Sequence, residues 1–387
     1  MKGWSSWPPA GRVLLAGLAL ALVLTVLVGS CSGAGEREDA LCPGGTPGAC
    51  APSAPAVPGS GGAGSTAGST PPSRSASASA SGSASGSARP SATPRPSPQP
   101  DPGGTSSGTG APPGGCSSPG ACGFPDAAST GPRIALTPHR TGALEVTTAG
   151  EVISGWDITG SLDVYADNVT IIDSRITSTN WWGVNLRPGY HGLRVLHSTI
   201  TAVPGQGPDN GGEDYAVSNM GDSSVEVGWS NISVFGNALS MGQGDLHDNY
   251  VHDLAAFHNA SGGWQHLDAV ISDGGGSGGL TVRHNTLLDS APADQGASAS
   301  IGLFADTGDV TNAVIEDNWL AGGAYALYGG GTGATGIVVT GNVFSTQYHP
   351  ACGIYGAVAA WNSGGAGNVW SDNEMSDGTP VSPGSNS

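Results

Sequence analysis

From Phe124 to its last residue the chain contains no lysine. Six arginines stand there against 26 aspartates and glutamates, a balance of 6 − 26 = −20, more acidic than the −18 of the whole chain. Such a surface repels polyphosphate, which argues against nucleic acid or anionic lipid as a partner. Large apolar residues are almost missing from Ser32 to Gly115, where the sequence is Ala, Gly, Pro and Ser. A stretch of that kind cannot bury enough surface to offset its chain entropy. Residues 32–115 are therefore expected to be a disordered linker, flexible where rich in Gly and Ser and stiffer where rich in Pro. Nucleophile elbow, phosphate loop, zinc spacing and nucleotide fingerprint are all lacking. So is any stretch with sustained helical periodicity.

The N-terminus carries a signal. Lys2 and Arg12 precede an apolar run from Val13 to Val28, which ends in Val28-Gly29-Ser30-Cys31. Small residues just before a cysteine predict a lipoprotein-type signal peptide over 1–31, with Cys31 acylated and a lipid anchor in the membrane. An uncleaved anchor helix and an ordinary cleaved signal are the alternatives, and all three put the rest of the chain outside the cytoplasm. Cysteine usage fits an oxidising compartment. Cys42 and Cys50, like Cys116 and Cys122, are close enough to close small loops, and four cysteines leave three connectivities open. Cys352 falls in a predicted strand and is expected to be a buried free thiol.

After Phe124, short β-branched strands alternate with Gly, Asn and Asp turns. One frame recurs: apolar, two residues, Asn or Ser, one residue, apolar. It is carried by Ser174, Ser198, Ser230, Asn249, Asn285, Asn318, Asn342 and Asn373, spaced by 24, 32, 19, 36, 33, 24 and 31 residues. Repeats of this size with variable loops indicate a solenoid. In a parallel β-coil the two apolar residues point inward, while the Asn turns the chain and bonds to its copy one coil away. A Gly/Ala-then-aliphatic strand follows seven of the frames, starting at Gly183, Ala216, Ala238, Ala269, Gly302, Ala326 and Gly353. The expected fold is all-β, a right-handed parallel β-helix of about eight to ten coils at roughly 4.8 Å per coil. It is expected over 116–387, as a monomer. One or two further coils are expected before Ile171, through Val152-Ile153 and Leu162-Val164.

These residues resemble the right-handed parallel β-helix proteins of the pectin-lyase-like superfamily, and most of all its secreted actinobacterial members. The resemblance rests on Cys116 to Ala127 with its Cys-Gly-Phe-Pro-Asp-Ala stretch, on Thr147 to Ile153, on Asp167 to Ile171 and on Cys352 to Gly356. It implies the fold and a polysaccharide or cell-wall glycan as partner. That superfamily holds lyases, hydrolases, epimerases and members without known chemistry, so the fold does not choose an activity.

With the second strand as register, Asp268 aligns with Ile301 and Asp273 with Asp306. His266 stands two residues before Asp268, and Glu213 falls in the His266 column two coils earlier. His266, Asp268, Asp273 and Asp306 are the candidate catalytic residues, since two carboxylates in reach of one sugar can divide the roles of acid and base. The same cluster is a candidate Ca²⁺ site. Asp beside Gly, as in Asp273-Gly274, is equally what a turn uses. Glu213, Tyr328, Tyr355 and Arg283 are the expected substrate-binding residues, with Tyr328 and Tyr355 in one column as a stacking platform. The Asp/His column just before the Asn ladder, from Asp173 to Asp372, is expected to be a solvated or ladder-bonding edge rather than a metal site. Two functional readings remain. One is a cell-surface glycosidase or polysaccharide lyase, and the other is a non-catalytic glycan-binding or scaffold lipoprotein.

Overall fold

The computed structural model describes residues 117–383, apart from 222, 276 and 277. The signal segment, the linker and Cys31, Cys42, Cys50 and Cys116 lie outside them. The described chain is a parallel β-helix of 26 short strands with a single 3-10 turn, Gly120–Cys122, and every strand-to-strand ladder among them is parallel. Each coil contributes to three ladders. The first runs from Val152–Ser154 to Val369–Ser371 and contains nine strands. The other two begin together in one long strand, Trp156–Val164. Its first part pairs with Arg175–Ser178 and its last part with Trp182–Leu186. From there the second ladder descends to Glu374–Met375 and the third to Gly356–Ala359. Thr137–Val146 covers the top of both. The coils expected before Ile171 are present.

The recurring frame is the corner between the first and second ladders. The residue before each Asn or Ser is left-handed at all eight corners. These are Asp173, His197, Trp229, Asp248, His284, Asp317, Gly341 and Asp372, with φ from 44° at His197 to 67° at Gly341. Asp and Gly enter that region at low cost, whereas His and Trp do so only under constraint. The Asn or Ser that follows is buried at every corner. Asn249 Nδ2 donates to Asn285 Oδ1, Asn285 to Asn318, Asn318 to Asn342 and Asn342 to Asn373, at 2.9–3.0 Å. Each Oδ1 also accepts the backbone N–H of the corner residue one coil before it. The apolar residue two positions on fills the core, as Ile176, Ile200, Ile232, Val251, Leu287, Leu320 and Phe344.

The third ladder has its own irregularity. Pairing steps over Gly183, Ala216, Ala238 and Ala269, whose neighbours on both sides are in register. The small residue and the aliphatic after it are both packed in the core, as at Ala269 and Val270. In a regular strand they would face opposite sides. The step-over turns the residue before the pair outward and requires the skipped residue to be small.

Two of the seven expected strand placements are corrected. Val270 lies opposite Ile301, so Asp268 lies opposite Ala299 rather than Ile301. The Phe304 N–H bonds to the Ser272 carbonyl, which puts Phe304 rather than Asp306 in the position after it, beside Asp273. The strand Ala297–Leu303 holds two small–aliphatic pairs, Ser300-Ile301 and Gly302-Leu303, and the core column takes the first. In the next correction, Tyr328 lies opposite Ala359, and Gly356–Ala359 is the strand. Tyr355 precedes it and does not share the Tyr328 column. Cys352 is likewise outside a strand, at φ 73°, and is a buried free thiol. Burial pushes that thiol up to about 12.

Before the first coil, residues 117–136 run along the outside as a strap. Phe124 packs on His284 and Trp319, and Thr286 Oγ1 donates to the Pro125 carbonyl. Further along, the Gly131 N–H bonds to the Trp229 carbonyl, and Arg133 forks onto Asp173 with two contacts of 2.9 Å. The strap therefore follows the left-handed corners. The strap meets the column at Asp173, Trp229 and His284, while Asp248 and His284 bond to each other across neighbouring coils, as expected of a ladder-bonding edge. Cys122 is disulfide-bonded.

Candidate functional site

The residues turned outward by the step-over form one row on the third ladder, Trp182, Tyr215, Asn237 and Asp268 in successive coils. Asp268 is wholly buried there. A Cβ at Gly302 would fall 2.2 Å from the Phe304 ring and 3.1 Å from Asp268 Oδ1. The ring is folded over a bare backbone, with the carboxylate at its edge, and only glycine admits it. Asn237, 2% exposed, has an Oδ1 without a hydrogen-bond partner.

From Phe304 a run of aromatic rings crosses the next coils. Phe304 and Tyr328 have centroids 5.0 Å apart, Tyr328 and Tyr325 are edge to face at 5.5 Å, and Tyr325 and Tyr355 are 6.0 Å apart. Tyr355 is 67% exposed and Tyr325 and Tyr328 are half-buried. Register brings Tyr325 opposite Gly356, which has no side chain to set over the ring, and Tyr355 beside it supplies the nearest ring of the following coil.

A lobe of two loops stands at one edge of this face. Asn210 Nδ2 donates to the Asn259 carbonyl, and the Ala260 N–H to the Asp209 carboxylate. At its tip the rings of His258 and Trp264 lie 3.9 Å apart. Glu213 and Asp214 sit at its base. Burial pushes Glu213 up to about 8 and Asp214 up to about 7, the latter with help from Asp209. The Glu213 carboxyl lies near the Ser178 hydroxyl and the Val203 amide but makes no well-formed hydrogen bond. It is a buried wedge, 2% exposed, so its carboxyl is closed to a ligand in this structure. His266 is exposed at the lobe's edge.

The remaining candidates are dispersed. The Asp273 carbonyl accepts from the Thr307 N–H and hydroxyl, so the loops bearing Asp273 and Asp306 lie side by side at the far edge of the ladder. Arg283 is on the first ladder and pairs with Asp245 at 3.3 Å. Asp268, Tyr328 and Tyr355 thus share a face, flanked by His266 and Glu213 on one side and Asp273 and Asp306 on the other, and Arg283 does not belong to it. Among the described residues no group of three or more His, Cys, Asp or Glu is arranged to hold a metal ion. Phe304 escaped the sequence reading because it occupies the position expected for a strand residue.

The face offers stacking surfaces more than paired acid and base groups. Most of the cations are committed elsewhere, and Arg140 lies on the covering strand Thr137–Val146. Arg133, Arg175, Arg187, Arg194 and Arg283 each pair with a carboxylate. Comparison with known proteins found no matching family model, no similar curated protein and no similar solved structure.

Proposed function

We propose that this protein is a non-catalytic glycan-binding lipoprotein of the cell surface, holding a neutral polysaccharide on the outer face of the third ladder. The observation behind this reading is the ring run Phe304–Tyr328–Tyr325–Tyr355, three half-buried rings leading to an exposed one. Aromatic faces bind the apolar faces of sugars, and rings on successive coils suit an extended chain. A neutral chain is favoured because a uronate or phosphate polymer would meet a net-acidic domain in which five of the six arginines pair with carboxylates.

The parallel β-helix and the Cys122-Gly123-Phe124-Pro125-Asp126-Ala127 stretch support placing the chain with the pectin-lyase-like superfamily. The Val28-Gly29-Ser30-Cys31 ending supports lipid attachment at Cys31 and an extracellular, membrane-anchored monomer, with residues 32–115 as spacer. Burial of Asp268 beneath Phe304 argues against a glycosidase or lyase working there, since a sugar reaches that carboxylate only if the ring moves.

The test is pull-down of the purified protein by insoluble neutral and anionic polysaccharides. Reducing ends and unsaturated-uronate absorbance are measured in the same tubes, with and without chelator. Retention on a neutral polymer without product supports the reading. New reducing ends would replace it with the hydrolase, and retention on polyuronates alone would overturn it.

A further inference from the structure

We propose that two copies of this protein pair head to head through the outer edge of the strand Thr137–Val146, with Arg140 of each copy opposite Glu145 of the other. That strand pairs with Trp156–Val164 on one side, and among the described residues no strand meets its other side. Such an open edge is a template for a further strand. The Thr137 N–H is given to the Gly155 carbonyl, and the Val146 carbonyl accepts the Tyr165 N–H, so both ends are bonded to the coil beneath. Backbone groups alternate sides along a strand, which aims those of Arg140 and Glu145 at the open edge. Both residues are exposed.

The occupant is a second copy because the edge complements itself. Antiparallel pairing about a two-fold axis between Gly142 and Ala143 sets Arg140 opposite the partner's Glu145, and the symmetry makes the same contact twice. The strand turns a corner there. Arg140 stands over the second ladder, opposite Thr159, and Glu145 over the third, opposite Asp163. An axis through the corner exchanges these two arms, so the bend fits its own copy. Among the described residues Arg140 is the one arginine without a carboxylate partner. Glu145 stands beside a second acid, Asp163, and gains from a cation. Pro138 also faces the open side and has no N–H to give, which confines the pairing to the stretch from Arg140 to Glu145.

Charge selects this end of the solenoid. Residues 124–200 hold five arginines against seven Asp and Glu, 5 − 7 = −2, whereas residues 201–387 hold one against 19, 1 − 19 = −18. Two such domains repel each other least at their first coils. Ile134 and Val152, 52% and 62% exposed, lie at the same end, Ile134 against Gly155 and Val152 on the first strand of the first ladder. They are two of the five large apolar side chains left exposed among the described residues. At the opposite end the chain closes over its own last coil, where the Met375 N–H bonds to the Thr379 carbonyl and Trp370 Nε1 to the Val381 carbonyl. One strand pair is a small contact, below the size of standard interfaces. The protein is therefore a monomer in dilute solution and pairs where copies are crowded.

Sedimentation velocity of the purified protein reads the pairing, with a dissociation constant expected between about 1 μM and about 1 mM. Arg140→Glu and Glu145→Arg each bring like charges together twice and should weaken it about tenfold or more, as like charges do at interfaces. The double variant restores opposite charges and should pair within about threefold of the wild type, the signature of a direct contact in a double-mutant cycle. A wild type that stays monomeric up to about 1 mM overturns the proposal. So do single variants that pair like the wild type, or a double variant that pairs no better than either. Should a single variant fold poorly, amide exchange of the wild type across 140–145 decides instead. Slower exchange at high than at low protein concentration supports the pairing, and exchange independent of concentration overturns it.

Discussion

Asn285 Nδ2 donates to Asn318 Oδ1 at 3.0 Å, and the same oxygen accepts the Asn285 backbone N–H. One buried side chain thereby satisfies two donors of the preceding coil. It also gives its own amide hydrogens to the Val282 and Glu316 carbonyls and to Asn342. Removing it strands groups in two neighbouring coils at once.

Asn318→Ala is therefore expected to destabilise the domain by about 2–4 kcal/mol, since each buried polar group left unmet costs about 1–3 kcal/mol. Asn318→Asp keeps the acceptor but puts a charge in the stack, and should cost as much or more. Denaturant midpoints of the two variants check this. A loss within the range of an exposed Asn→Ala change would contradict the ladder's role.

The ladder is also the part of the fold most legible in sequence. Its period survives loops of any length because each Asn must meet its copy one coil away, and apolar residues flank it at fixed distance. The third ladder is less legible for a physical reason. Its marker is a small residue before an aliphatic, and Ala297–Leu303 contains that marker twice. Ser300 fills the small position and donates its hydroxyl to the Ala321 carbonyl, a contact invisible in a pattern of residue sizes. The two-residue slip that results is what moves Asp306 out of the column of Asp273. The strap was missed for another reason: its contacts join residues far apart in sequence, as Phe124 and Trp319 do.

Gly302→Ala tests the packing at the head of the aromatic face. A Cβ there would overlap the Phe304 ring. The ring must swing away, and the Asp268 carboxylate should gain access to water. The expected result is a modest loss of stability, about 1–3 kcal/mol as for other overpacked sites, with faster exchange across 299–306. If binding uses the ring run, affinity falls as well, because Phe304 leaves the line of Tyr328.

Tyr355→Ala separates binding from folding. The side chain is 67% exposed and closes the run beyond Tyr325. Stability should change by less than about 0.5 kcal/mol, the range of surface substitutions. Retention on the neutral polymer should fall several-fold. An unchanged retention with Tyr355→Ala and Tyr325→Ala together would remove the ring run from the binding site.

Three buried carboxyls set the dependence of stability on pH. Asp289, wholly buried, is pushed up to about 7 by burial, against the opposing amides of Ala291 and Ser298. Asp214 is raised to about 7 and Glu213 to about 8, both chiefly by burial. For each, the folded value lies above the unfolded one, so the native state binds the extra proton. Their contribution is complete below the unfolded values of 3.8 and 4.5 and fades as pH rises through about 7 to 8. Asp173 and Asp248 are lowered by Arg133 and by the two histidines, so they act oppositely and lose their contribution only as pH falls below the ordinary carboxylate range. The domain should be most stable near pH 4–5, as a rough window from these opposing titrations, and its melting temperature should fall steadily toward pH 8. Asp289→Asn removes one titration and keeps one acceptor for the loop. Its stability curve should cross that of the wild type, lower at acid pH and higher at alkaline pH. Curves that stay parallel would show that Asp289 is ionised in the folded domain throughout.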